Sequence, residues 1–154
     1  MVFNSHDFEM TLRAVFYFNF KKCLLQLLIF RFSVLFMALK LLVIEDDEGV
    51  RIMLDLVLKY DGYEVVTSRD GAILDDVHTI KPDIIFLDEW LCNEKGSDLC
   101  RKLKANPLTA GIPVILLSAM ISAEKFAGQA GADGYIRKPF DLDELNQTIR
   151  KYVL

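Results

Sequence analysis

Three short apolar runs in this chain each end in a group that could do chemistry. Leu41-Leu42-Val43-Ile44 runs into Glu45-Asp46-Asp47, Pro82-Asp83-Ile84-Ile85-Phe86-Leu87 ends in Asp88, and Val114-Ile115-Leu116-Leu117 ends in Ser118. Glu45 and Asp46 brought beside Asp88 would form an oxygen-rich site with surplus negative charge, which asks for a hard divalent cation. Mg²⁺ suits it best, because it takes a few carboxylates, keeps several waters and completes its shell with phosphate oxygens. A cation there lets an anionic phosphoryl donor approach a carboxylate that would otherwise repel it. Asp88 can then act as the nucleophile and become an aspartyl phosphate. Ser118 offers a hydroxyl donor and Lys138 a point charge for the phosphoryl oxygens. X-Pro bonds adopt the cis form far more readily than other peptides, and a cis Lys138-Pro139 bond would turn the ammonium back toward the site.

These residues need a scaffold that delivers them to one place. Apolar runs too short for helices, each closed by a polar residue, read as buried strands of a parallel sheet, with Pro82–Asp88 at its centre. Open α/β sheets bind ligands at the C-terminal edge of the strands, in the crevice where strand order reverses. Between the runs lie helical patterns. Val50, Met53, Leu54, Val57 and Leu58 share one face of a helix closed by Asp61-Gly62. Tyr63 to Thr67 is a second strand, followed by a weaker helix from about Asp70 to Ile80 that stops before Pro82. A loop from Glu89 to Lys95 leads to Gly96 and a helix carrying Leu99, Cys100 and Leu103 as far as Asn106-Pro107. Ser122 caps a helix with Phe126 and Ala130 inward, stopped by Gly131. Gly134–Arg137 is a short fifth strand, and Asp141 caps a last helix with Leu145, Ile149 and Tyr152 on its core face. The expectation is an α/β fold with five strands, five helices and right-handed crossovers.

Composition narrows the function. A chain of 154 residues, 53% of them hydrophobic, suits a single domain with one sizeable core. A net charge of -4 with interspersed signs leaves no basic stripe for a phosphate backbone, so no nucleic-acid contact is expected. Cys23, Cys92 and Cys100 show neither CxxC spacing nor a histidine companion, which points away from a disulfide framework or zinc and toward a reducing compartment. His6 and His78 lack carboxylate or metal partners at suggestive spacing and read as solvated. Residues 1–38 differ from the rest, being rich in Phe and Leu with Arg13, Lys21, Lys22 and Arg31 interspersed. Gln26, Arg31 and Ser33 interrupt the apolar stretch before it reaches the roughly 20 residues of a bilayer crossing. The readings are an over-extended start upstream of Met37, a membrane-associated amphipathic helix, and a signal peptide that lacks a convincing cleavage site. The first is preferred because Met37 sits a few residues before the first strand.

Residues 39–154 resemble a two-component response-regulator receiver domain of the stand-alone, chemotaxis-regulator kind. The resemblance rests on Leu42–Asp47, Pro82–Asp88, Pro113–Ala119 and Gly131–Phe140, four motifs in family order and spacing. It implies a doubly wound, flavodoxin-like sheet of order 2-1-3-4-5 and a cytoplasmic protein that takes a phosphoryl group from a sensor histidine kinase or phosphotransfer protein. Asp88 is then the acceptor, and Mg²⁺ is bound by Glu45, Asp46, Asp88 and the backbone carbonyl of Trp90. Ser118 is the switch hydroxyl, Lys138 the phosphate partner, and Tyr135 the aromatic that rotates to reshape the face of the fourth helix, fifth strand and fifth helix. Asp47 reads as a solvated helix-start residue. The chain stops at Leu154 after the fifth helix, from which no output domain is expected and the readout falls to a separate protein. The chain departs from the family pattern at Cys92, where a proline usually follows the acceptor by four residues. It departs again at Trp90, bulkier than most occupants of the place where an attacking water would enter.

Two other readings compete. A haloacid-dehalogenase-type phosphatase also phosphorylates a strand-end Asp, but it needs a second Asp two residues later as general acid, and Trp90 stands there. A degenerate receiver that only docks partners is disfavoured because every catalytic position is filled. A nucleotide-binding module would want a Gly-rich phosphate loop after the first strand, and none is present.

Overall fold

Strands buried on both faces must be apolar throughout, and the alternation of their side chains sends successive residues to opposite layers. The computed structural model, which describes residues 38–120 and 123–153 with only the backbone of Ala123 and Glu124, follows that rule. Strand β1 spans Lys40–Ile44, β2 Glu64–Ser68, β3 Ile84–Asp88, β4 Val114–Ser118 and β5 Gly134–Arg137. All pairings in this sheet are parallel, in the order β2-β1-β3-β4-β5. Leu41, Val43, Ile84, Phe86, Ile115 and Leu117 face one layer, and Leu42, Ile44, Ile85, Leu87, Val114 and Leu116 the other.

Helix α1, Glu48–Tyr60, and α5, Leu142–Val153, cover the first layer with Leu54, Leu58, Leu145 and Ile149. Helix α2, Val77–Ile80, α3, Gly96–Ala105, and α4, Ala123–Ala130, cover the second with Val77, Leu99, Cys100, Leu103, Ala127 and Ala130. Helices on both faces of a parallel sheet make this the doubly wound, flavodoxin-like fold expected from the sequence. The topological switch falls at β1 and β3, so the crevice opens above the ends of those two strands.

The caps behave as their residue types dictate. Asp47 is exposed and accepts from the Val50 N–H at 2.9 Å, and Asp141 accepts from the Glu144 N–H at 2.8 Å. Gly62 after α1 has φ +93°, open to it at little cost.

Three expectations need correction. The single helix expected over Asp70–Ile80 is a 3₁₀ segment, Gly71–Asp76, followed by the four residues of α2. The Asp70 side chain accepts from the Ala72 N–H at 3.1 Å, a local turn that competes with a regular α-helical start. Met53, expected in the core, is 40% exposed, because the face of α1 turned to the sheet is taken by Leu54 and Leu58, with Val50 partly buried beside them. The loop after Asp88 is a tight antiparallel hairpin, Trp90–Leu91 against Glu94–Lys95. The cap expected from Ser122 and the readings of residues 1–37 fall outside the described residues. Among the described residues, no helix is long and apolar enough to cross a membrane.

Candidate functional site

Register alone brings the acidic residues level. Ile44 of β1 lies opposite Leu87 of β3, so the next residues, Glu45 and Asp88, stand side by side. Asp88 lies opposite Leu117 of β4, which places Ser118 one step beyond it; Ser118 in turn lies opposite Arg137, so Lys138 leaves β5 one step further on. The staircase continues in the backbone, where the Lys138 N–H donates to the Ser118 carbonyl at 2.9 Å.

Glu45, Asp46 and Asp88 each present a carboxylate oxygen within 4.8 Å of the others. The Lys138 Nζ sits 2.7 Å from Glu45 Oε2 and 3.0 Å from Asp88 Oδ1. Glu45, Asp88 and Ser118 are buried, Asp46 and Lys138 partly so. Burial pushes the Glu45 carboxyl up from its ordinary range, with the Lys138 hydrogen bond opposing and the Asp88 charge adding to it. Asp88 is raised too, again by burial first and against the pull of Lys138, with the Asp46 charge adding. For Lys138 burial pulls downward, but the hydrogen bonds and charges of Glu45 and Asp88 outweigh it and hold the ammonium above its ordinary range. One cation thus faces three carboxylates, and the cluster retains surplus negative charge.

That donor set fits a divalent ion of the Mg²⁺ class: hard oxygens only, converging from two adjacent strand ends, with charge left to neutralise. Glu45, Asp46 and Asp88 would hold it. Lys138-Pro139 is cis, as the sequence suggested. The Ser118 Oγ accepts from the Met120 N–H at 3.2 Å, which leaves its proton free to donate. The Trp90 N–H lies beside the Asp88 carboxylate and favours its ionised form, while the indole is 52% exposed with the Lys95 Nζ 5.2 Å from the ring centre. Tyr135 is 40% exposed and its neighbour Ile136 fully buried.

Several contributors escaped the sequence reading. The Arg51 Nη1 donates to the carbonyls of Glu45 at 2.8 Å and Asp46 at 3.2 Å, pinning the acidic turn from the first turns of α1. Cys92 donates its thiol proton to Asp46 Oδ2 at 3.1 Å, and that carboxylate raises the thiol's pKa. Glu94 accepts from the Gly71 N–H at 2.9 Å, fastening the hairpin to the 3₁₀ segment. Glu89, next to Asp88, is buried. An arginine within two helical turns of a strand-end acidic pair is the one signal that could have been read; the others depend on the hairpin, which the sequence did not announce.

Comparison with known proteins agrees with this geometry. The family described as response regulator receiver domain matches residues 41–150. The response regulator MprA of Mycobacterium bovis is 37% identical over 117 residues, covering 74% of this chain and 50% of its own. The DNA-binding response regulator MtrA of Mycobacterium tuberculosis is 35% identical with the same coverage. This chain therefore spans about half the length of the curated relatives it matches. Among solved structures, the chemotaxis protein CheY4 of Vibrio cholerae superposes with a TM-score of 0.69 at 28% identity, over 76% of this chain and 99% of that one. The strand order, the matched family and these relatives agree, and the chain belongs to the response regulator receiver domain family.

Proposed function

We propose that the chain accepts a phosphoryl group on Asp88 from a phosphohistidine of a sensor kinase or phosphotransfer protein, and signals by altering the face formed by α4, β5 and α5. The observation that carries this reading is the Asp88 carboxylate held 3.0 Å from the Lys138 ammonium within a three-carboxylate cluster at the sheet's C-terminal edge. An Asp88 oxygen attacks phosphorus as the P–N bond of the donor breaks, the electron pair leaving on the imidazole nitrogen. The Lys138 ammonium stays protonated and shifts from the carboxylate to a phosphoryl oxygen. The Ser118 hydroxyl donates to another, and Tyr135 moves into the space Ser118 leaves. New charge-assisted hydrogen bonds thereby shift the population of the α4–β5–α5 face. Glu45, Asp46, Asp88 and the Trp90 carbonyl would hold Mg²⁺, which would supply charge neutralisation for the incoming anion.

On this reading the protein is a phospho-acceptor rather than a turnover enzyme, and its readout passes through a partner that recognises the altered face. DNA binding is a property in the MtrA relative's name; with a net charge of -4, we propose no nucleic-acid contact for the receiver itself. Among the described residues Cys92 and Cys100 carry free thiols, in keeping with the reducing cytoplasm proposed for the chain. Incubation with labelled acetyl phosphate and Mg²⁺ tests the assignment. Label is expected on the wild type and absent from Asp88→Asn; equal labelling of both would overturn it.

A further inference from the structure

A buried carboxylate beside the acceptor has no part in the chemistry above. Glu89 is 4% exposed and directly follows Asp88, its side chain leaving the strand on the opposite side. Its Oε2 accepts from the Ser97 N–H at 3.0 Å and its Oε1 from the Ser97 hydroxyl at 2.9 Å, with Ser97 itself 5% exposed. The Glu89 backbone carbonyl accepts from the Gly96 N–H at 3.0 Å, and its own N–H donates to Leu117 of β4 at 2.9 Å. Every hydrogen-bonding group of this residue is thus committed, and three of the four bonds tie it to the start of α3.

The first turn of α3 depends on this. Lys95, at the N-cap, makes no side-chain cap bond, so the orphan N–H groups of Gly96 and Ser97 are satisfied from Glu89 instead. The negative carboxylate also sits where the helix dipole is positive. The approach is tight, because a Cβ on Gly96 would overlap the Asp88 carbonyl oxygen. The hairpin between Glu89 and Gly96 carries Trp90, whose N–H lies beside the Asp88 carboxylate, and Cys92, whose thiol meets Asp46. Glu89 closes that hairpin at its base.

We propose that Glu89 is a positioning residue for the acceptor site: anchored on α3, it holds the Asp88–Trp90 backbone where the carboxylate cluster can take up a divalent cation and a phosphoryl group. The proposal rests on the phospho-acceptor reading and adds to it a residue that touches neither ion nor phosphate. Partners that orient a metal's ligands typically matter by about 10- to 100-fold in affinity when removed. The side-chain amide of glutamine can still accept from the Ser97 N–H and donate to its hydroxyl, so Glu89→Gln preserves both links, whereas Glu89→Ala breaks them.

The test uses the full chain, follows Mg²⁺ titrations by the fluorescence of its sole tryptophan, Trp90, and adds acetyl phosphate labelling of each variant. Expected are an affinity about 10-fold weaker or worse in Glu89→Ala, roughly 3-fold weaker in Ser97→Ala, and within about 2-fold of wild type in Glu89→Gln, with labelling following the same order. Thermal unfolding identifies which variants are folded; should Glu89→Ala not fold, Ser97→Ala and Glu89→Gln decide. Folded variants that lose thermal stability yet bind Mg²⁺ and label like wild type would overturn the positioning role and leave the acceptor reading intact. A wild type that neither binds Mg²⁺ nor labels would sink both.

Discussion

Two half-buried lysines in this domain meet carboxylates at nearly the same distance, and they serve opposite ends. Lys104 of α3 lies 2.6 Å from Asp133 and also donates to the carbonyls of Ala110 and Ile112 at 3.0 and 2.7 Å. All three of its protons are placed, and one cation answers one anion. Asp133 is committed as well, accepting the Val114 N–H at 2.7 Å. Lys138 instead contacts two carboxylates while a third, Asp46, stands close by, so its surroundings remain under-neutralised. A balanced pair with every donor satisfied fastens the starts of β4 and β5. An unbalanced cluster at the opposite edge stores unfavourable negative charge that a divalent cation would relieve, and only then can an anionic phosphoryl group approach.

The most direct way to break this contrast is to remove each pair in turn. Asp88→Asn should reduce phosphoryl uptake from acetyl phosphate to background, whereas Lys104→Met should label at the wild-type rate and unfold earlier. Because Asp133 is 35% exposed, the cost of Lys104→Met should be about 1–2 kcal/mol, below that of a fully buried pair, as measured by urea denaturation. The contrast fails if Lys104→Met labels poorly while remaining folded.

Lys138→Met separates two roles of one ammonium. Phosphoryl uptake should fall by about 100-fold, since the charge that meets the transferring oxygens is gone. Mg²⁺ affinity should instead rise by roughly 3-fold, because the lysine no longer competes for Glu45 and Asp88. Parallel titration and labelling would check both signs, and a weaker Mg²⁺ affinity would contradict the competition.

A smaller effect lies in the pH dependence of the metal-free chain. Burial, the largest cause, raises Glu45 above 4.5 and Asp88 above 3.8. Each therefore binds its proton more tightly in the folded chain than in the unfolded one. The stability this gives is fully present below those ordinary values and is lost as the pH rises through the folded ones. In the presence of chelator, Glu45→Gln should be more stable than wild type at pH 7, with the gap closing as the pH falls toward 4.5. Saturating Mg²⁺ should reverse the order. Thermal melts across that range decide it; a gap that widens on acidification would refute the burial argument.

The smallest expected change concerns Trp90, whose exposed indole borders the site and carries Lys95 over its ring. Trp90→Ala should speed loss of the phosphoryl group by roughly 3-fold by admitting water. Equal decay rates would reduce the ring to a cover on the hairpin.

The fold and the carboxylate cluster were legible because the same physics writes both. Parallel strands covered by helices on either side must be apolar along their length, so the first polar residue after each run marks the sheet edge. Glu45, Asp88 and Ser118 were visible on that ground alone. The break between the 3₁₀ segment and α2, the outward turn of Met53 and the hairpin after Asp88 were not, since each is decided by local turn bonds or by how many side chains fit under a helix. Glu89 illustrates the limit best. In the sequence it is one more acidic residue after a strand, and its burial makes sense only once α3 begins directly above it.

By itself the sequence determined which groups stand at the strand ends, because hydrophobic periodicity is local along the chain. The tertiary structure alone decided that Glu45 and Asp88 stand level, that a lysine 93 residues from Glu45 closes to 2.7 Å, and that Arg51, Glu89 and Cys92 brace the site. Those contacts depend on strand register and helix placement, and register is set by pairing between segments distant in sequence.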